Sequence, residues 1–325
     1  MKTVKEEMAQ AVEEDLRKIE ERLLANLNPE VALVKKIAGH TLFSGGKRLR
    51  PLLCVLIHRI FKGNYAAIYD AAGVFELLHA ATLIHDDVVD EADLRRGVRA
   101  SHKIFGAAEA VLTGDYLLSK ALVLTAQTRN FEVIDTISAI TGQMAQGEIE
   151  QLRNRNDLLL SEAAYTEVIG RKTAVLLEGA CKSGALLAGA DSEMTASAAR
   201  YGWELGLAFQ VADDLLDYLG DEKTLGKRPG ADLREGKATL PLIYALSVLD
   251  EEGRSLILNC GGKDFSDSDF LSVKSLMEKA GGFDYAEKRA FSHRDRALAA
   301  LAPWPEGKEK ALLSYLADYA IRRKY

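Results

Sequence analysis

Two aspartate clusters repeat one pattern in this chain, Asp86-Asp87-Val88-Val89-Asp90 and Asp213-Asp214-Leu215-Leu216-Asp217. Residues four apart on a helix stack about 6 Å along its axis, so Asp86 pairs with Asp90, and Asp213 with Asp217, on one face each. Like charges at this spacing weaken a helix unless a cation neutralises them, and hard carboxylate oxygens select Mg²⁺ or Mn²⁺. A solvated acidic face would account for one such cluster alone. Here Leu83, Ile84, Val88 and Val89 flank the first cluster, and Val211, Leu215 and Leu216 the second, which marks both helices as buried. Buried carboxylates need compensating charge, so Asp86, Asp87, Asp90, Asp213, Asp214 and Asp217 form the expected metal-binding set.

A metal held by aspartates commonly completes its shell with phosphate oxygens, and phosphate calls for cations nearby. Gly45-Gly46-Lys47-Arg48-Leu49-Arg50-Pro51 supplies two glycines for close backbone approach, three cations, and a proline in the first turn of a helix. His79 lies two turns before Asp86; its ordinary role would be that of a hydrogen-bonded core histidine. Lys172-Thr173 interrupts a run of apolar and small residues, where a lysine requires an anion. Lys227 and Lys237 follow the second cluster in a stretch that also reads as an ordinary solvated loop.

These residues must be carried by long helices. The chain has 325 residues, 48% of them hydrophobic, and six prolines that all fit helix starts or loops. Ala- and Leu-rich helical periodicity runs from Lys62 to Arg228, with no alternating pattern of a sheet. Helices are expected over about 3–26, 31–44, 51–61, 65–91, 106–128, 131–153, 161–188, 192–220, 239–250, 266–280, 283–301 and 308–322, with residues 220 to 237 as loop. The two clusters are 127 positions apart and must converge to serve one site, which favours one large all-α domain over residues 1–325. A net charge of −6 without a basic stripe argues against nucleic acid. Cys54, Cys181 and Cys260 read as reduced thiols. The N-terminus lacks an apolar signal segment and no run is long enough to span a bilayer, so a cytoplasmic location is expected.

Taken together, the Gly45 to Pro51 turn, His85 to Gly97, Gly114-Asp115, Gln146-Gly147-Glu148, Lys172-Thr173, Phe209-Gln210 through Asp217, and Gly236-Lys237-Ala238-Thr239-Leu240-Pro241 resemble the trans-type polyprenyl diphosphate synthases. The resemblance implies an all-α bundle around a deep central cavity, the isoprenoid synthase type I fold, and a homodimer. It implies Mg²⁺ as cofactor, with Asp86, Asp90 and Asp213 as principal ligands and Asp87, Asp214 and Asp217 assisting. Arg95, Lys172 and Lys237 match contacts to an allylic diphosphate, with Lys227 nearby. Lys47, Arg50, His79 and Arg96 match a pocket for isopentenyl diphosphate, and Thr173 and Gln210 match oxygens that face an allylic cation. Beyond Gly97, Val98-Arg99-Ala100-Ser101-His102-Lys103 departs from the family pattern of a basic residue, then proline and threonine, and later asparagine.

In this family, side chains below the first cluster set product length. Here they are Ala81, implied by the resemblance, and Thr82, on the face of Asp86; both are small. Phe75, about 16 Å below Asp86, is the expected floor, unless Tyr116 or Leu117 closes the cavity sooner. A long product of about six to ten isoprene units is therefore expected, released through at most a transient membrane contact. The alternatives are a short-chain synthase making fifteen or twenty carbons, a terpene cyclase or head-to-head coupling enzyme, and a regulatory subunit.

Overall fold

The helical periodicity is realised as helix through most of the residues that the computed structural model describes, 4–95, 97–220, 228–259 and 266–322. In chain order the helices are α1 (Val4–Asn26), α2 (Ala32–Leu42), α3 (Leu49–Ile60), α4 (Ile68–Val89), α5 (Ser101–Phe105), α6 (Ala107–Gln127), α7 (Phe131–Arg153), α8 (Glu162–Ile169), α9 (Val175–Ala188), α10 (Ser192–Leu219), α11 (Ala231–Arg234), α12 (Leu240–Val248), α13 (Glu251–Asn259), α14 (Asp267–Lys279), α15 (Gly282–Ala300) and α16 (Lys308–Arg322). A π-helical turn, Gly170–Ala174, joins α8 to α9.

The expected all-α architecture holds with five local differences, one of them the short helix α5, which falls between the helices expected over 65–91 and 106–128. Leu94–Arg95 and Val98–Arg99 form a two-residue antiparallel hairpin, too short for an alternating pattern to reveal. The helix expected over 161–188 contains the π turn. Residues 231–234, within the segment expected as loop, form one helical turn. Helix α13 lies between the helices expected over 239–250 and 266–280, and the Asp250 side chain starts it by accepting the Gly253 N–H at 2.8 Å.

The chain divides into two compact units, one of residues 1–141, 176–199 and 303–313, the other of 142–175, 200–302 and 314–325. In the first, α4 is the central element and packs against α1, α2, α3 and α6. Its apolar residues point all round, and Phe75, Leu77, Leu78 and Ile84 are all buried. The Arg48 guanidinium is buried and donates to Glu76 of α4 at 2.7 Å and to the last carbonyl of α2, Leu42, at 2.6 Å. One side chain thus closes α2, anchors the turn before α3 and ties both to α4. Arg48 itself has φ +49°, and the preceding Gly45 has φ +102°. Cys54 and Cys181 are buried free thiols in this unit, and burial pushes Cys54 up to about 12; Cys260 lies outside the described residues.

In the second unit, α10 and α12 meet α14 and α15 around Val211, Tyr218, Leu242, Val273 and Met277. Glycines let backbones close on the π turn from two sides. A Cβ on Gly147 of α7 would stand 2.8 Å from the Arg171 Cβ and 3.0 Å from the Lys172 nitrogen, and one on Gly206 of α10 would stand 2.4 Å from the Ala174 Cα. Gly170 likewise gives its space to the Trp203 ring, 2.7 Å from such a Cβ. At Gly147 and Gly206 the clamping helices put no side chain of their own against the π turn.

Two outcomes are expected. Glu76→Ala leaves the Arg48 guanidinium buried without its main anion and costs about 3–5 kcal/mol, read from the urea midpoint; an unshifted midpoint would show that the pair is not needed. Gly206→Ala forces backbone to move and costs about 1–3 kcal/mol despite the better helix propensity of alanine; a gain in stability would show the helices have slack.

Candidate active site

Each aspartate cluster sits where a helix ends. Asp86, Asp87 and Asp90 occupy the last turn and C-cap of α4, and Asp213, Asp214 and Asp217 the last two turns of α10. Neither helix has a basic residue in its last turn. A helix C-terminus already carries a partial negative charge, so three carboxylates there are unfavourable without added cations. Asp87, Asp214 and Asp217 are buried, and Asp86, Asp90 and Asp213 are half-buried.

The buried members have protein partners. In the first unit, Arg95 of the hairpin donates through both Nε, at 2.8 Å, and Nη2 to one oxygen of Asp87. In the second unit, Asp217 accepts the Asp232 N–H at 3.1 Å with its side chain and the Gly230 N–H at 2.8 Å with its backbone carbonyl. It thereby fixes the turn that opens α11 and leads to Lys237. Asp214 accepts the Tyr165 hydroxyl at 2.6 Å and the Gln210 amide at 2.8 Å. Burial, then the neighbouring Asp232 carboxylate, push its carboxyl well above the usual range, against the lowering effect of those two bonds. A carboxyl in that setting ionises only with positive charge supplied beside it. Helix-end position, burial and oxygen-only donors are the chemistry that suits a hard divalent cation, although among the described residues no three such side chains are gathered closely enough to hold one.

His85, next to Asp86, is held by the Val111 carbonyl, 3.1 Å from its Nε2. A Cβ on Gly114 would overlap that ring at 2.2 Å, so Gly114-Asp115 has a steric reason: glycine makes room for the histidine beside the cluster.

The cationic residues separate by burial. Of the three cations after Gly46, Arg48 is consumed by the core; Lys47 is exposed and Arg50 half-buried. His79 is half-buried on α4, and its carbonyl accepts the Thr82 hydroxyl at 2.9 Å. Lys172, on the π turn, donates to Glu148 of α7 at 2.5 Å, which is the anion its setting required. Lys237 donates to Glu235 at 2.6 Å. Arg96 and Lys227 lie outside the described residues. Within the first unit Asp86, Asp90, Arg95, Lys47, Arg50 and His79 are carried by α3, α4 and adjoining turns; within the second, Lys172, Thr173, Gln210, Asp213 and Lys237 are carried by α10 and the segments around it.

Two further residues belong to this environment and were not found from the sequence. Glu148 was visible only inside a motif, and Tyr165, buried on α8, carries no local signal because its partner lies 49 positions away.

Residues 31–279 match the polyprenyl synthetase family. The octaprenyl diphosphate synthase of Haemophilus influenzae is 36% identical over 323 residues, covering 98% of this chain and 97% of the relative. The octaprenyl diphosphate synthase of Escherichia coli is 36% identical over 320 residues, covering 98% of both. Among solved structures, the polyprenyl synthase from Caulobacter crescentus complexed with calcium and isoprenyl diphosphate superposes with a TM-score of 0.93 at 37% identity, over 98% of this chain and 97% of that one. With its paired aspartate clusters, its glycine-flanked lysine and arginines and its lysine on a π turn, this chain belongs to the polyprenyl synthetase family.

Proposed function

We propose that the chain condenses isopentenyl diphosphate with an allylic diphosphate, repeatedly, to give a long trans-polyprenyl diphosphate of about six to ten isoprene units. The observation that carries this reading is the pair of carboxylate sets at helix ends together with Lys172, Lys237 and Arg95, each already resting on a carboxylate that an anionic substrate can replace. Asp86, Asp90 and Asp213 would hold Mg²⁺ or Mn²⁺, with Asp87, Asp214 and Asp217 in support. The bound metal would supply charge stabilisation for the departing diphosphate.

Arg95, Lys172 and Lys237, with Lys227, bind the allylic diphosphate and stabilise it as it leaves; Lys47, Arg50, His79 and Arg96 orient isopentenyl diphosphate. The double bond of the second substrate then attacks the allylic cation, a new carbon–carbon bond forms, and a proton is lost. The departed diphosphate is the acceptor for that proton, since the aspartates would be occupied in holding the metal. Thr173 and Gln210 present oxygen to the cation. Holding two substrates in register makes the step effectively unimolecular.

The long product is supported by the octaprenyl relatives and by the small residues below Asp86. Ala81 is buried at 4% exposure, and Phe75 is fully buried, with its ring 3.5 Å from where a Gly179 Cβ would stand. A homodimer is supported by exposed apolar side chains on α6 and at the start of α7, Leu112, Leu122, Val123 and Phe131, the last 83% exposed. Among the described residues no helix is long and apolar enough to cross a membrane.

Purified protein with Mg²⁺, radiolabelled isopentenyl diphosphate and ten-, fifteen- or twenty-carbon allylic diphosphates is expected to yield long linear prenyl diphosphates. Chains stopping at fifteen or twenty carbons would keep the reaction and refute the long product, and cyclic hydrocarbons would favour a cyclase. Ala81→Phe is expected to shorten the product with elongation retained, an unchanged length distribution counting against that residue as ruler. Asp213→Asn is expected to lower kcat by about 10²–10³-fold and raise the Mg²⁺ requirement; full activity would exclude a ligand role.

A further inference from the structure

Four side chains of the second unit form one continuous hydrogen-bonded file. The Tyr165 hydroxyl donates to Asp214 Oδ2 at 2.6 Å, the Gln210 Nε2 donates to Asp214 Oδ1 at 2.8 Å, and the Thr173 hydroxyl donates to Gln210 Oε1 at 2.8 Å. The direction of every bond follows from the chemistry of the ends. With the cation of the proposed reaction beside it, Asp214 is ionised and only accepts, so the nitrogen of the Gln210 amide faces Asp214 and its oxygen faces Thr173. The amide oxygen also only accepts, so the Thr173 hydrogen is committed to Gln210. What remains free on the Thr173 hydroxyl is its lone pairs. With Gln210 flipped, an amide oxygen would face a carboxylate oxygen at hydrogen-bond distance, and the threonine would be driven to turn its hydrogen outward.

We infer that Tyr165 is a positioning residue: by holding Asp214 it sets the polarity of the file, so that Thr173 turns lone pairs, and not a proton, toward the allylic cation. This rests on the reading of the reaction given above. Tyr165 is 3% exposed on α8, one turn before the π segment, and neither touches Thr173 in the file nor carries a charge. The Asp214 carboxylate acts in this file through Gln210, whatever else it binds. A reversed threonine would aim the positive end of its O–H dipole at developing positive charge, where even a few tenths of an elementary charge misdirected opposes the transition state.

Coupling between Tyr165 and Thr173 distinguishes this role from simple support. Tyr165→Phe keeps the ring and removes only the hydroxyl. It is expected to lower kcat about tenfold, with both KM values within about twofold of wild type and an unchanged circular dichroism spectrum. Thr173→Val is expected to lower kcat further, and the double variant to be no slower than Thr173→Val alone, because the tyrosine has nothing left to orient. Thr173→Ser, which keeps the hydroxyl, is expected to recover most of the rate and to remain sensitive to Tyr165→Phe. Should Tyr165→Phe not fold, Tyr165→Met removes the same hydroxyl with a side chain that adapts to the space, and the same saturation with Thr173→Val is expected. A wild-type kcat in Tyr165→Phe, or rate losses that multiply in the double variant, would overturn the inference while leaving prenyl transfer intact. A wild-type protein that elongates no allylic diphosphate would overturn the reaction and this role with it.

Discussion

Negative charge gathered at the negative ends of two helices is the constraint on which the rest depends. Asp86, Asp87 and Asp90 crowd the C-terminus of α4, and Asp213, Asp214 and Asp217 that of α10, with no basic residue in either last turn. Helix dipole, mutual repulsion and desolvation all oppose this arrangement. The surrounding structure answers with donors fitted one by one: Arg95 on Asp87, Tyr165 and Gln210 on Asp214, the Asp232 backbone N–H on Asp217. The other carboxylates, Asp86, Asp90 and Asp213, keep part of their surface exposed.

The second demand is precision, and glycine meets it in the second unit. Gly147 and Gly206 bring α7 and α10 against the π turn with no side chain in between. A π turn widens the helix by one residue and is itself costly, so it persists where packing overdetermines it. Lys172 and Thr173 both ride on this turn, and their partners, Glu148 and Gln210, come from the two helices that clamp it.

Much of this was legible in the residues. Long elements such as α4, α7 and α10 announce themselves through periodicity sustained over many turns, and the acidic clusters through repetition. What escaped was local or distant in kind. One widened turn within residues 170–174 leaves no mark on a 3.6-residue pattern, and two-residue strands are shorter than one period of alternation. The start of α13 did carry a signal, Asp250 three residues before Gly253, which the reading did not use. Arg48 is indistinguishable from Lys47 and Arg50 by type, and only burial against Glu76 shows that it belongs to the core. Tyr165 could not be read from its neighbours, since its meaning comes from Asp214 on another helix.

In the proposed reaction, the carboxylates that hold Lys172 and Lys237 would also govern release. A diphosphate arriving at either lysine would not meet bare charge; it would displace Glu148 from Lys172 or Glu235 from Lys237, and gain only the difference between two ion pairs. Each lysine would then act as an exchanger. On departure of a cleaved diphosphate, it would close back onto its resident acid, so that no uncompensated lysine is exposed. An enzyme that must discharge inorganic diphosphate once per added unit, while retaining a chain that lengthens each time, gains turnover from cations that are never left alone.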